Sequence, residues 1–387
     1  MTVGNITRRG AASWRLKFEA GVRDPVTGAR RTRFVTVQGT KKAAQRELIR
    51  LLAEVENGTA VDPSRVTVAE YLRGWLDSDR DLSPKTLERY RQLVDQQIVP
   101  HLGATLLQKL RPAQVHDWHA ILLKSGGKDG RPLAARTVGH AHRVLHRGFE
   151  RAIRLETVGR NPAHIVPPPK PEAEEIAILS AEQIADVPCR LEGHPLHPIV
   201  TLALSTGMRR GELCGLPWGA LDLDGAVVRV ERSLEETESG LRFKPPKTRH
   251  GRRSISLPPQ AVETMRAHRR HQLEYRLVLG LGKLGSDDLV FPLPDGSPYP
   301  PDKLSRDWGN VVRDKKLPRV TFHALRHSHA SALIAAGIDI VTVSGRLGHG
   351  SPAITLTVYA HAFHKTDAAA ARAIEAALAG VPGGSAS

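Results

Sequence analysis

Single-residue alternation of apolar and polar positions opens the chain. Trp14-Arg-Leu-Lys-Phe18 and Arg33-Phe-Val-Thr-Val37 both repeat at period two, which predicts strands. Asp24-Pro-Val-Thr-Gly28 between them carries turn residues. At Thr40 the pattern changes to a helical period. Thr40 caps a helix that runs to about Glu56 and stops at Asn57-Gly58. Residues 1–57 therefore predict a small three-stranded sheet on one helix.

After a short linker at 58–65 the spacing is helical from Val66 to about Asn161. Val68, Tyr71, Leu72 and Trp75 share one face. Ser83-Pro84 predicts a helix start with serine as the cap and proline at the first helical position. Further helices begin near Pro112 and near Ala134, the second with Val138, Ala141, Val144, Leu145 and Phe149 inward. Asn161-Pro162 ends this region. Pro167-Pro-Pro-Lys-Pro171 followed by Glu172-Ala-Glu-Glu175 makes a stiff, extended spacer. Leu179-Ser180-Ala-Glu-Gln183 then reads as a hydrophobic staple and capping box that opens a new helix. Beyond it, helices mix with strands at Ala226–Val230 and Arg253–Leu257, and an Ala-rich amphipathic helix covers 367–379. The expected fold is a multi-domain α+β chain. It has a sheet-plus-helix module at 1–57, a helical domain at 66–162 and a mainly helical domain with a small antiparallel sheet at 176–380.

Charge narrows the choice of partner. Lys+Arg 56 against Asp+Glu 40 leaves +16 at pH 7, with a pI near 10.2, which favours a polyanion. No apolar run approaches the roughly 18–20 residues that span a bilayer, so nucleic acid is expected rather than a membrane. The start lacks the apolar core of a signal peptide, and Cys189 and Cys214 make no disulfide framework. A cytoplasmic, nucleoid-associated protein is expected. Residues 1–57 hold 12 lysines and arginines against five acids, interleaved with aromatics along the strands. The cations expected on DNA are Arg15, Lys17, Arg31 and Arg33 there, Lys85, Arg89, Arg136 and Arg143 in the helical domain, and Arg249 and Arg253 in the third.

Chemistry gathers in the third domain. In Thr206-Gly-Met-Arg209-Arg-Gly-Glu212, Gly207 permits a tight turn after the apolar run Ile199–Leu204. Arg209 would then project from the end of a packed helix, oriented by Glu212. Pro245-Pro-Lys247-Thr-Arg-His-Gly-Arg-Arg253 is a cation-dense loop entering a strand. A lysine there can protonate a leaving alkoxide, and both Lys244 and Lys247 fit. His323 and Arg326 share a helix face over Thr321–Ala336. His327 completes His-x3-His, but Ala324 stands where a zinc hydrolase needs its glutamate, so no metal is expected. His349 can place an imidazole beside a phosphate. Tyr359 is a nucleophile only if a base or cations favour its phenolate.

In this order and with these flanks, the set resembles the tyrosine recombinases, the phage-integrase family of lambda type. The matching pieces are Thr-Gly-x-Arg at 206–209, Lys-Thr at 247–248, His-x-Leu-Arg-His at 323–327, Leu-Gly-His at 347–349 and Tyr-Ala-His at 359–361. They cover roughly 176–375. The two upstream modules resemble, in layout, an arm-binding sheet domain and a helical core-binding domain. The resemblance implies that Tyr359 attacks the scissile phosphate to form a 3′-phosphotyrosyl link. It implies that Arg209 and Arg326 bind the non-bridging oxygens, that His323 manages the proton and that His349 donates to a phosphate oxygen. Lys247 would protonate the leaving 5′ oxygen and Glu212 would orient Arg209. It further implies no cofactor and double-stranded DNA with core and arm attachment sites. A homotetramer is implied on that DNA, with a bending host factor and a directionality factor as further candidates. Two rival readings are a type IB topoisomerase, which the spacing and extra basic domain disfavour, and a DNA-binding regulator on an inactive scaffold, which the complete catalytic set disfavours.

Overall fold

The computed structural model describes residues 4–23, 30–57, 60–172, 177–246 and 249–359, together with 371, 372, 374, 375 and 378; for 20–23, 30–31, 249 and 357–359 only the backbone is described. The chain divides into two compact units, Met1–Ala173 and Glu174–Ser387.

The first unit begins with an antiparallel sheet of order β1 (Gly4–Gly10), β2 (Ser13–Arg23), β3 (Arg30–Gln38). Leu16 and Phe18 alternate inward from β2 and meet Ala44 and Leu48 of α1 (Lys41–Glu56). Thr40 caps α1 as expected, its hydroxyl accepting from Ala43 N. The turn expected at 24–28 lies outside the described residues.

A separate apolar cluster holds the helical region: α2 (Val68–Ser78), α3 (Pro84–Leu93), α4 (Val99–Leu102), α5 (Pro112–Ser125), α6 (Ala135–Arg154) and α7 (Pro162–Ile165). A π-helical turn, Val94–Ile98, joins α3 to α4. Thr67 and Glu70 form a capping box at the start of α2. Ser83 occupies the cap position of α3, yet its hydroxyl pairs with the Thr86 hydroxyl at 2.8 Å instead of a backbone N–H. The five α6 residues expected inward, Val138, Ala141, Val144, Leu145 and Phe149, are all buried.

The second unit contains α8 (Ala181–Arg190), α9 (His197–Thr206), α10 (Arg210–Cys214), β4 (Leu221–Asp222), β5 (Val227–Val230), β6 (Ser233–Thr237), β7 (Gly240–Lys244) and β8 (Arg253–Ser256). It continues through α11 (Pro259–Val278), α12 (Pro301–Asp314), α13 (Phe322–Ala335), α14 (Ile340–Leu347) and α15 (Pro352–Tyr359). Strands β4, β5 and β8 pair antiparallel, and β6–β7 is a separate hairpin. The Ser180/Gln183 capping box opens α8 as the sequence predicts. The core runs from α9 through Trp218, β5 and β8 to Trp308 and Leu325. Of the helix expected at 367–379, the described residues 371, 372, 374, 375 and 378 are helical.

Candidate active site

Two left-handed glycines build the site. Gly207 (φ 65°) ends α9 and Gly348 (φ 67°) ends α14. Helix C-termini leave carbonyls without partners inside the helix. Here arginines supply them. Arg326, on the buried face of α13 and only 3% exposed, donates from Nη1 to Gly207 O at 2.6 Å and from Nη2 to Leu347 O at 2.7 Å. Arg209 donates from Nη2 to Gly348 O at 3.1 Å. A side chain at Gly207 would also collide with His329 and Leu347, its Cβ falling 2.6 Å from His329 Cδ2.

Arg209 does not project from the end of α9. It lies two residues past Gly207, as the cap residue of α10, and Glu212 accepts from its backbone N (2.8 Å) and its Nη1 (2.9 Å). Glu212 is buried and has a second cation. Arg253 donates to it from Nη2 at 2.8 Å and Nη1 at 3.2 Å. Burial would push the Glu212 carboxyl up; the hydrogen bonds and charge of Arg253, then Arg209, outweigh this and hold it below the usual range. One carboxylate thus faces Arg209 and Arg253, while Arg326 binds the ends of the two helices. The surplus is cationic, which suits an anion.

Arg253 corrects an expectation. Its side chain is 6% exposed, and Nε donates to Arg346 O at 2.7 Å. A guanidinium so enclosed by Glu212 and a helix-end carbonyl is not presented to DNA; it braces Arg209 through their shared carboxylate. Sequence alone made it one cation among several in a basic loop. Arg346 was likewise missed. It donates from Nε to His329 Nε2 at 3.1 Å and from Nη2 to Ser205 O and Ser256 O, tying α9, β8, α13 and α14 together.

His323 stands solvent-accessible at the start of α13, beside a cleft of about 660 Å³ that Arg210, Trp308, Arg319 and Thr321 also line. Its ring meets that of His327 edge to face at 5.0 Å. The surrounding protein mass, then His327, Arg326 and Arg209, pull His323 below the usual imidazole range. His349 is half-buried, with Nδ1 2.7 Å from the Thr355 hydroxyl of α15. Burial first, then Arg326, Arg209 and Arg253, lower it to about 4. Both imidazoles are therefore neutral at pH 7, able to accept or to donate a hydrogen bond.

Tyr359 is the last residue of α15, ten positions after His349; its side chain lies outside the description. Lys247 and Thr248 lie outside the described residues. Lys244 is described: it ends β7 and is ion-paired across the hairpin to Glu235, which also accepts from Arg242 Nε at 3.0 Å. The structure thus brings Arg209, Glu212, Arg326 and His349 together around two helix ends, with exposed His323 three residues before buried Arg326 on α13.

The cations expected on DNA divide. Arg15 packs its guanidinium over Phe34, 4.1 Å from the ring centre, and with exposed Lys17 it lies on the sheet face away from α1. Arg33 is turned inward, donating to Val61 O at 2.8 Å and ion-paired with Asp62, because the chain leaving α1 returns beneath β3. Lys85, Arg89, Arg136 and Arg143 are exposed. The Arg31 and Arg249 side chains are outside the description.

Comparison with known proteins identifies this architecture. The family model described as "Phage integrase family" matches residues 178–366, and "Phage integrase, N-terminal SAM-like domain" matches 67–123. The chain is 30% identical over 337 residues to an integrase of Streptomyces ambofaciens, covering 83% of this chain and 82% of that one. It is 28% identical over 346 residues to a tyrosine recombinase XerC-like protein of Caldanaerobacter subterraneus, covering 84% and 87%. Its fold is similar to the Tn1549 transposon integrase (TM-score 0.68, 22% identity, 81% of this chain and 99% of that one). It is also similar to a lambda integrase dimer bound to a COC′ core site (0.55, 18%, 92% and 94%). The chain belongs to the phage integrase family and is a tyrosine site-specific recombinase.

Proposed function

We propose that this recombinase joins and excises the DNA of a phage or other mobile element, with Arg209, Lys247, His323, Arg326, His349 and Tyr359 as its catalytic residues. The Tyr359 phenol attacks the scissile phosphorus. The bond to the 5′ oxygen breaks, a 3′-phosphotyrosine forms and the phenolic proton passes to a base, for which neutral His323 is suited. Arg209 and Arg326 draw the non-bridging oxygens, where charge builds; removing one such donor should cost about 10²–10³ in rate. His349 donates to the same phosphate, and Lys247 gives a proton to the departing 5′ oxygen. A 5′-hydroxyl then attacks the phosphotyrosine and reverses each step on a new strand. The phosphotyrosine conserves the bond, so no cofactor is required.

The observation that carries this reading is the paired grip of Arg209 and Arg326 on the ends of α9 and α14, with Glu212 fixing the first. Double-stranded DNA is the partner, as in the DNA-bound integrase structures that share the fold. A lambda integrase tetramer has been seen on a Holliday junction, and a homotetramer is proposed here. Residues 1–57 are proposed to bind arm sites, 66–162 the core site and 176–380 to carry the chemistry. A bending host factor, a directionality factor and residence at the nucleoid belong to the same reading. Among the described residues no helix is long and apolar enough to cross a membrane.

A nicked suicide DNA substrate tests the chemistry. Wild-type protein should form a covalent adduct in EDTA and Tyr359→Phe should form none while still binding DNA. An adduct with Tyr359→Phe, or none with wild type in EDTA, would overturn the assignment. Removing residues 1–57 should abolish arm-site binding and spare core-site cleavage; arm binding that survives would count against the domain roles.

A further inference from the structure

Far along the chain from the catalytic residues, three metal-ligating side chains converge in the helical unit. His146 and Glu150 lie one turn apart on α6, and His164 lies on α7. One ligand atom from each falls within 4.8 Å of the others. His146 Nε2 is 3.7 Å from Glu150 Oε1. Two ligands on one tetrahedral zinc stand roughly 3.4 Å apart, given metal–ligand bonds of about 2.1 Å, so small rotamer adjustments would close the triad. An ordinary i,i+4 histidine–glutamate pair would account for two of these residues, but not for the third arriving from another helix.

A second observation concerns what holds them. Asn161 is 6% exposed, and its amide is fully engaged at this corner. Nδ2 donates to Glu150 Oε1 at 2.7 Å and to His146 O at 3.1 Å, while Oδ1 accepts from Ala163 N at 3.0 Å. One buried side chain thus orients the carboxylate, the backbone of one histidine and the start of the helix that carries the other. Partners of this kind commonly orient metal ligands. Imidazole–carboxylate sets suit zinc and its late transition-metal neighbours. The His146 and Glu150 side chains are 34% and 41% exposed, so water can complete the coordination.

We propose that His146, Glu150 and His164 form a zinc-class metal site that clamps α7 onto α6. Because α7 is the last helix before Pro167–Pro171, the metal stiffens the exit of the helical unit. Its role is structural, and strand cleavage does not depend on it.

The test uses the full chain, stripped with chelator and titrated with Zn²⁺ against a chromophoric competitor. Binding at one site should raise Tm by roughly 5 °C at hundredfold excess over Kd. Co²⁺ should give the absorption of a nitrogen–oxygen site. His164→Ala, at an exposed position that leaves the core intact, should weaken binding at least tenfold, as should Glu150→Gln. A His361→Ala/His364→Ala variant should bind as wild type. The proposal falls if Zn²⁺ leaves Tm unchanged, or if affinity is the same in His164→Ala and Glu150→Gln as in wild type.

Discussion

Replacing Glu212 with alanine should destabilise the second unit sharply. The carboxylate is 3% exposed and receives hydrogen bonds from Arg209 N, Arg209 Nη1 and both terminal nitrogens of Arg253. Without it Arg253, with a side chain 6% exposed, is a buried cation lacking its counter-ion and facing a second arginine. Removing one partner of a buried pair costs about 3–5 kcal/mol. At about 2–4 °C per kcal/mol for a unit of this size, its melting transition should fall by roughly 10 °C. Calorimetry of the full chain would measure this. Adding Arg253→Met should restore part of the loss, since an apolar chain of similar length needs no counter-ion. The pH dependence has a fixed sign. The folded carboxyl sits below its ordinary 4.5, so Glu212 contributes fully above that pH and progressively less as the pH falls through the folded value. The gap between wild type and Glu212→Ala should therefore narrow in acid. A drop of less than about 2 °C at pH 7, or a double variant no more stable than the single, would refute the counter-ion argument.

Gly348→Ala forces a left-handed residue to carry a Cβ 2.8 Å from Arg253 Nη1 and 3.0 Å from His250 O; the backbone strain alone is about 1–2 kcal/mol. Cleavage should fall more than binding, because Gly348 O anchors Arg209; unchanged Tm and cleavage would contradict this. His329 and His349 are both lowered to about 4, His329 by burial and Arg346. The unfolded chain takes up their protons first, so their stability is complete above pH 6.5 and is lost as the pH falls towards 4. A Tm flat between pH 7.5 and 4.5 would sink that reading. Lys247→Ala should block cleavage of ordinary DNA yet cleave a substrate with sulfur at the bridging 5′ position, since a thiolate leaves unprotonated. Lys244→Ala, which loses only a pairing with Glu235, should stay within about tenfold of wild type; the opposite ranking would move the acid role to Lys244.

Much of this protein is written locally. Period-two alternation at Trp14–Phe18, the Thr40 and Ser180 caps and the inward face of α6 depend on neighbours within about one turn, so the chain order displays them. The order of Thr206–Arg209, His323–His327, Leu347–His349 and Tyr359 likewise marks the family and the chemistry. Long-range partnership is not displayed. Arg253 and Arg249 look alike in a basic loop, yet β8 carries Arg253 onto Glu212, 41 positions away. Arg33 looks like a surface cation until the chain after α1 brings Asp62 to it. Lys244 and Lys247 look alike in sequence; in the β6–β7 hairpin Lys244 lies opposite Ser233 and ion-pairs diagonally with Glu235. Arg326 reaches Gly207 O across 119 positions, and Asn161 draws His146, Glu150 and His164 to one corner. A charge reads the same in sequence whether water or a buried counter-ion will surround it. The path of the folded backbone makes that choice, because only there is the distance to a partner, and the loss of water around it, defined.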